Sequence, residues 1–141
     1  MHKSIIKAVL VTDSSTINSL IKSRLDRRRY AIKVINSTEP QFFESLVQIR
    51  PDLIFLRSML AAMDGLELCD RIRSHPAFRL TRLIFISSNE IYREQAIDRR
   101  ANKFLMLPFS RQELIRVVSP LFSELPIILL VDDSMTCRRL L

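Results

Sequence analysis

Residues 51–65 read Pro51-Asp52-Leu53-Ile54-Phe55-Leu56-Arg57-Ser58-Met59-Leu60-Ala61-Ala62-Met63-Asp64-Gly65, and this stretch decides the fold. Pro51 disfavours helical geometry at Arg50, so any helix before it must stop there. The run from Leu53 to Leu56 is apolar throughout, as a strand covered on both faces would be. It ends abruptly at Arg57, and the chain restarts as a helix-like segment after an Asp64-Gly65 turn. Open parallel sheets place their ligand chemistry at the carboxyl ends of their strands, which gives Arg57 a functional position.

Upstream, residues 7–11 (KAVLV) form a short β-branched run that stops at Thr12-Asp13-Ser14-Ser15, a cluster of good N-cap residues. Ile17, Leu20, Ile21 and Leu25 then follow helical spacing, with Lys22, Arg24 and the arginines at 27–29 on the polar side; this helix is expected to end near Tyr30. Residues 30–35 alternate as a half-exposed edge strand would. Thr38-Glu39-Pro40 predicts the next helix start, packed through Phe42, Phe43, Leu46, Val47 and Ile49.

Downstream, Leu66, Leu68, Cys69 and Ile72 predict a helix closed by His75-Pro76. Residues 82–86 predict a buried strand, 90–100 a charged helix, 104–107 a fifth strand and 111–122 a fifth helix that Pro120 ends or bends early. Met59, Met63 and Cys69 read as packing residues, and the Leu107-Pro108 bond as a candidate cis peptide. Strands alternating with helices give an α/β, doubly wound parallel sheet with right-handed crossovers; the expected order is the flavodoxin-like 2-1-3-4-5 of a (βα)5 unit.

The chain's 141 residues suit one domain, and 48% hydrophobic with 26% charged residues supports a real core. No apolar run approaches the roughly 20 residues of a membrane span, so a cytoplasmic protein is expected. The two cysteines lack metal-type spacing and read as reduced thiols. A single glycine argues against dinucleotide and P-loop folds, which need several where backbone meets phosphate. The net charge of +7 is scattered over several predicted helices with few aromatics, which reads as a solvated basic exterior rather than a nucleic-acid surface.

Residues 127–141 (IILLVDDSMTCRRLL) repeat the grammar of residues 8–16: apolar strand, acid, hydroxyl, helix start. The expected organisation is a domain over 1–123, a linker at 124–126, and the truncated first strand and helix start of a second, similar domain over 127–141.

In order and spacing, these motifs resemble the receiver domain of two-component response regulators. The resemblance rests on the acid after strand one, on PDLIFL followed eight residues later by Asp64-Gly65, on Ser87 closing strand four, and on Leu107-Pro108-Phe109 after strand five. It implies a phosphoacceptor aspartate at the end of strand three, fed by a histidine kinase, with Mg²⁺ held by that aspartate and an acidic pair. It further implies a lysine before the strand-five proline, a switching hydroxyl and a switching aromatic.

Carried over, the acceptor position is Arg57, the acidic pair Thr12-Asp13, the lysine position Leu107, the hydroxyl Ser87 and the aromatic Phe104. A guanidinium is neither nucleophile nor cation ligand, and phosphoryl transfer needs both an oxygen nucleophile and a hard cation held by oxygens. The sequence therefore reads as a degenerate pseudo-receiver: no enzyme, no cofactor, and no Mg²⁺ expected. Strands one and three are neighbours in the expected order, so Arg57 is expected to reach Asp13, with Ser87 as a third member, in a permanently wired pocket.

The expected function is that of a non-phosphorylatable signalling module of a multidomain response regulator, acting by protein–protein contact in a phosphorelay. Its partners would be other domains of the same polypeptide, a second receiver and an output domain. The resemblance implies a partner or homodimer surface on helix four, strand five and helix five, here Ile91, Tyr92, Arg93, Arg99, Arg100, Lys103, Arg111 and Arg116, which suits an acidic protein. An alternative keeps conventional phosphorelay chemistry, with the acceptor aspartate in the second receiver. Nucleic-acid binding through the basic helices is a third, disfavoured reading.

Overall fold

The structure, a computed structural model, describes residues 5–122. The expected linker and second-receiver start at 124–141 lie outside the described residues. Five parallel strands, β1 (Ile6–Val11), β2 (Tyr30–Val34), β3 (Leu53–Arg57), β4 (Arg82–Ser87) and β5 (Lys103–Met106), stand in the order β2-β1-β3-β4-β5. The connecting helices are α1 (Ser15–Arg24), α2 (Phe42–Ile49), α3 (Gly65–Ser74), α4 (Tyr92–Asp98) and α5 (Arg111–Phe122), with a 3-10 turn at Pro76–Phe78.

The unbroken apolar runs of the central strands follow from this layering. Successive side chains on a strand point to opposite faces, and both faces are covered. Ala8, Leu10, Leu53, Phe55, Ile84 and Ile86 join Ile17 and Ile21 of α1 and Leu114 and Val118 of α5. Their neighbours Val9, Val11, Ile54, Leu56, Leu83 and Phe85 join Phe42 and Leu46 of α2, Cys69 and Ile72 of α3, and Ala96 of α4. Each of the valine, leucine, isoleucine and phenylalanine side chains so removed from water is worth about 1.5–3 kcal/mol. Among the described residues, edge strand β2 has no second neighbour, and its Ala31 and Lys33 are exposed, as the alternation predicts.

Chain punctuation is local. Ser14 caps α1 by accepting from the Ile17 N–H (3.2 Å), and Asp64 caps α3 by accepting from that of Leu66 (2.9 Å). Arg50 closes α2 in the left-handed region (φ 52°), so the helix stops where Pro51 requires. His75 ends α3, its Nδ1 accepting from the Ala77 N–H at 3.0 Å.

The boundaries correct several expectations. α1 ends at Arg24, not near Tyr30, because Asp26 organises a turn: its carbonyl accepts from Arg29 and Tyr30, and its carboxylate from the Arg28 N–H. α2 begins at Phe42 rather than at the Pro40 turn, because residues 36–42 form two turns first, the Glu39 N–H donating to the Asn36 carbonyl (3.2 Å) and the Phe42 N–H to the Glu39 carbonyl (3.1 Å). α4 is shorter than 90–100, and β5 starts one residue early. Pro120 neither ends nor shortens α5, whose last residues Leu121 and Phe122 are both buried. Met59 is 69% exposed, so it does not pack, whereas Met63 is partly buried against the core.

Candidate functional site

Thr12, Asp13, Arg57, Ser87 and Leu107 all sit at or just past the carboxyl ends of β1, β3, β4 and β5. The sheet gathers them, but their side chains are engaged in ways the sequence reading did not anticipate. Thr12 is fully buried; its Oγ1 donates to Asn18 Oδ1 at 2.6 Å and accepts from the Ser14 N–H at 3.1 Å. It is thereby part of the start of α1.

Asp13 occupies the left-handed region (φ 57°), which aspartate tolerates better than most residues. One carboxylate oxygen accepts from the Ser37 N–H at 2.8 Å; the other accepts from the Ala61 N–H at 2.8 Å and from Ser37 Oγ. Ser37 Oγ also accepts from the Ala62 N–H at 3.1 Å. Asp13 therefore clasps the β1–α1, β2–α2 and β3–α3 loops together. Partial burial pushes its pKa up. Hydrogen bonds from Ser37 and Ala61, with the charge of Arg57 behind them, outweigh that and hold it below its ordinary value of 3.8.

The sign of the pH effect follows. A depressed folded-state pKa gives stability that is complete above the ordinary carboxylate value and is lost as pH falls through the folded value. The urea midpoint of the wild-type chain should drop below pH 3.8 more steeply than that of Asp13→Asn. Parallel pH profiles for the two proteins would show that the clasp contributes nothing.

The expected wiring of Arg57 to Asp13 and Ser87 is corrected. Arg57 is half-buried at the end of β3, and among the described residues it makes no ion pair with Asp13; it acts on that carboxylate only through space. The reason is competition, since both carboxylate oxygens are taken by loop donors that the backbone fixes in place. Ser87 is equally engaged: its Oγ accepts from Ser58 Oγ at 3.0 Å and from the Asn89 N–H at 3.1 Å. Leu107 packs against the α1–α5 side of the core, its N–H donating to the Ser87 carbonyl at 2.8 Å, and the Leu107-Pro108 bond is cis as expected.

These residues do not fit a Mg²⁺ ion. Hard divalent cations need several free oxygen ligands. Asp13 is spent on three donors, Thr12 on Asn18, and the position facing them carries a guanidinium.

The switch-position aromatic Phe104 is buried (7% exposed) and stacks on Phe85 with ring centroids 6.4 Å apart; Tyr92 meets Phe85 from the α4 side at 6.1 Å. The Arg93 guanidinium lies over the Phe104 ring at 4.7 Å and pairs with Glu90. Of the other expected surface residues, Ile91, Arg100, Lys103, Arg111 and Arg116 are exposed, and Arg99 pairs with Asp70 at 3.2 Å. Their charges do not form one patch, because Arg99, Arg100 and Lys103 lie at the amino edge of the sheet and Arg93 and Arg111 at the carboxyl edge. Cys69 is buried, its thiol pushed up to about 11, chiefly by burial.

Sequence reasoning missed Ser37 and Asn18, and it did not foresee Ser58 as the hydrogen-bond partner of Ser87. The signal for Ser37 was present: Asn36-Ser37-Thr38 is a polar cluster at the carboxyl end of a strand adjacent to β1.

Among the described residues no helix is long and apolar enough to cross a membrane. The chain is 28% identical over 118 residues to Protein PilG of Pseudomonas aeruginosa, covering 80% of this chain and 84% of that one. It is 29% identical to the transcriptional regulatory protein ResD of Bacillus subtilis, but there the match spans 82% of this chain and only 47% of the relative. The chain thus spans about half the length of such regulators. Two solved structures superpose with a TM-score of 0.73, each over 84% of this chain and 98% of the other. They are the receiver domain of a sensor histidine kinase from Pseudomonas aeruginosa, with a magnesium ion in its active-site cleft (24% identity), and the signal receiver domain of a DNA-binding response regulator from Colwellia psychrerythraea (20%). A family model described as "Response regulator receiver domain" matches residues 8–119, and the chain accordingly belongs to the response regulator receiver domain family of two-component signalling.

Proposed function

We propose that this receiver domain signals without aspartyl phosphorylation, as a pseudo-receiver that works by contact with other proteins or domains of a phosphorelay in the cytoplasm. The observation that carries the reading is the residue at the end of β3. Arg57 stands where the family's chemistry needs a carboxylate, beside an Asp13 whose oxygens already hold Ser37 and Ala61. The departures reinforce one another, since restoring one group would leave the cation without its remaining ligands and the phosphoryl group without a lysine. On this reading the domain is not an enzyme and takes no Mg²⁺.

The inward, stacked Phe104 supports a domain held in one conformation. Its ring is covered by Phe85 on the core side and by Arg93 outside. Contact through α4, β5 and α5, with a second copy or with another domain of a longer regulator, remains part of the proposal; Ile91 (62% exposed) and Ile115 (39%) give that face its apolar content.

The test is incubation with acetyl phosphate and Mg²⁺, followed by intact-mass measurement and peptide mapping. No phosphate adduct is expected within residues 5–122, and Mg²⁺ should leave the melting temperature unchanged. A hydroxylamine-labile adduct on Asp13, or a stable one on Ser58 or Ser87, would overturn the reading.

A further inference from the structure

Arg73, Arg79, Leu80, Arg82, Arg100 and Asn102 line an open recess of about 280 Å³. It lies where α3 and α4 end and β4 and β5 begin, at the edge of the sheet opposite Asp13 and Arg57. Its floor is set by Arg73, half-buried and held by four hydrogen bonds. Nε donates to the Arg100 carbonyl (2.9 Å), Nη1 to the carbonyls of Phe78 (3.2 Å) and Thr81 (3.0 Å), and Nη2 to Asn102 Oδ1 (2.9 Å). Every acceptor is neutral.

The other cations of the recess also lack carboxylate partners among the described residues, although the Arg82 guanidinium lies over the Phe122 ring at 5.8 Å. Arg82 donates to the Leu80 carbonyl at 3.0 Å and Arg100 to that of Arg73 at 3.4 Å. Among the described residues, none of these guanidiniums forms an ion pair with a carboxylate, whereas Arg99, next door on the same helix end, pairs with Asp70. Burial holds the Arg73 pKa below its ordinary value, and the like charges of Arg100 and Arg82 add to that.

Helix dipoles explain only part of this cluster. Cations are favourable in the last turn of a helix, which covers Arg73 on α3. They do not account for Arg82, the first residue of β4, and the three-residue 3-10 turn that precedes Arg79 is too short to carry much of a dipole. Nor do they account for Leu80 between them, a large apolar side chain left 76% exposed amid positive charge.

We propose that this recess is a docking surface for an acidic protein segment that carries an apolar residue, its carboxylates meeting Arg79, Arg82 and Arg100 and its apolar side chain covering Leu80. Charge complementarity supplies steering and register, and burial of the leucine supplies a contact that charge alone lacks. A nucleic acid suits the site less well. The recess has no aromatic side chain on which a base could stack, and a phosphate backbone has nothing to set against Leu80.

Fluorescence anisotropy of the whole chain with a labelled peptide of glutamates and aspartates around one leucine tests this. Saturable binding is expected, weakened about tenfold by Arg79→Glu, the size of effect that an opposed interfacial charge produces. Leu80→Ser, or serine for leucine in the peptide, should each weaken it about fivefold, less than full leucine burial because part of the side chain stays wet. Arg79 and Leu80 are exposed and neither side chain is bonded among the described residues, so both variants should keep the wild-type circular dichroism spectrum. Arg111→Glu, at the opposite edge, should bind normally. The proposal is overturned by absence of saturable binding, by equal weakening in Arg111→Glu, or by tighter binding of a DNA duplex than of the peptide at the same ionic strength.

Discussion

Gly65→Ala should cost at least about 3 kcal/mol in urea denaturation, the upper range for forcing atoms into packed space. A Cβ at this position would lie 2.2 Å from the Arg57 carbonyl oxygen and 2.8 Å from that of Ser58. Both are backbone atoms, and the second also accepts the Gly65 N–H at 2.9 Å, so neither can retreat without breaking the junction of β3 and α3. The requirement is for space, since Gly65 has no positive φ. Glu67→Ala, exposed on the same turn of α3, is the control and should stay within about 0.5 kcal/mol of wild type. If Gly65→Ala matched that control, the close approach of the two segments would be dispensable.

Phe85→Ala should be as damaging, at about 3–5 kcal/mol, because it removes a fully buried ring and leaves a cavity beside strand partners that cannot collapse into it. Phe85 sits in β4 between Leu56 of β3 and Phe104 of β5 by register. Its loss also deprives the Phe104 and Tyr92 rings of their neighbour. Phe85→Leu should recover most of the loss in stability but not the ring contact. A Phe104 ring-proton spectrum unchanged in Phe85→Leu would mean that the stack contributes nothing to how Phe104 is held.

The architecture was legible because the physics that sets it is written in short runs. Leu53 to Leu56 are apolar without alternation, and the two core clusters receive them alternately, one residue to each face. Asp64, Ser14 and Pro51 announce where helices begin and end. Positions at the carboxyl edge were equally legible, since strand order alone brings Thr12, Asp13, Arg57, Ser87 and Leu107 to one side of the sheet.

The partners of those residues were not legible. The pairing of Asp13 with Arg57 is the obvious one by charge, yet Ser37 and the Ala61 N–H hold the carboxylate. Backbone donors carry no signature in a sequence, and a loop serine is identical on the page whether it faces water or lies 4% exposed, as Ser37 does. The same limit applies to the arginines. In sequence they look scattered, and only the winding of the chain brings Arg73, Arg79, Arg82 and Arg100 to one recess.

That gathering of cations gives the molecule a front and a back for anything that approaches it. Helix ends and strand starts share one edge in this winding, so the arginines at 24, 27–29, 50, 73, 82 and 100 outnumber the aspartates at 26, 52 and 98 there, while at the other edge the acids at 13, 39, 64, 67, 90, 94 and 113 outnumber Arg57, Arg93 and Arg111. A negatively charged body that comes within about a Debye length, roughly 30 Å at 0.01 M salt, feels that difference before any side chain touches it. It is turned to meet the arginine-rich edge first, which shortens the rotational search that limits most encounters. Raising the salt removes this guidance from the rate of arrival and leaves the rate of departure to the contacts themselves.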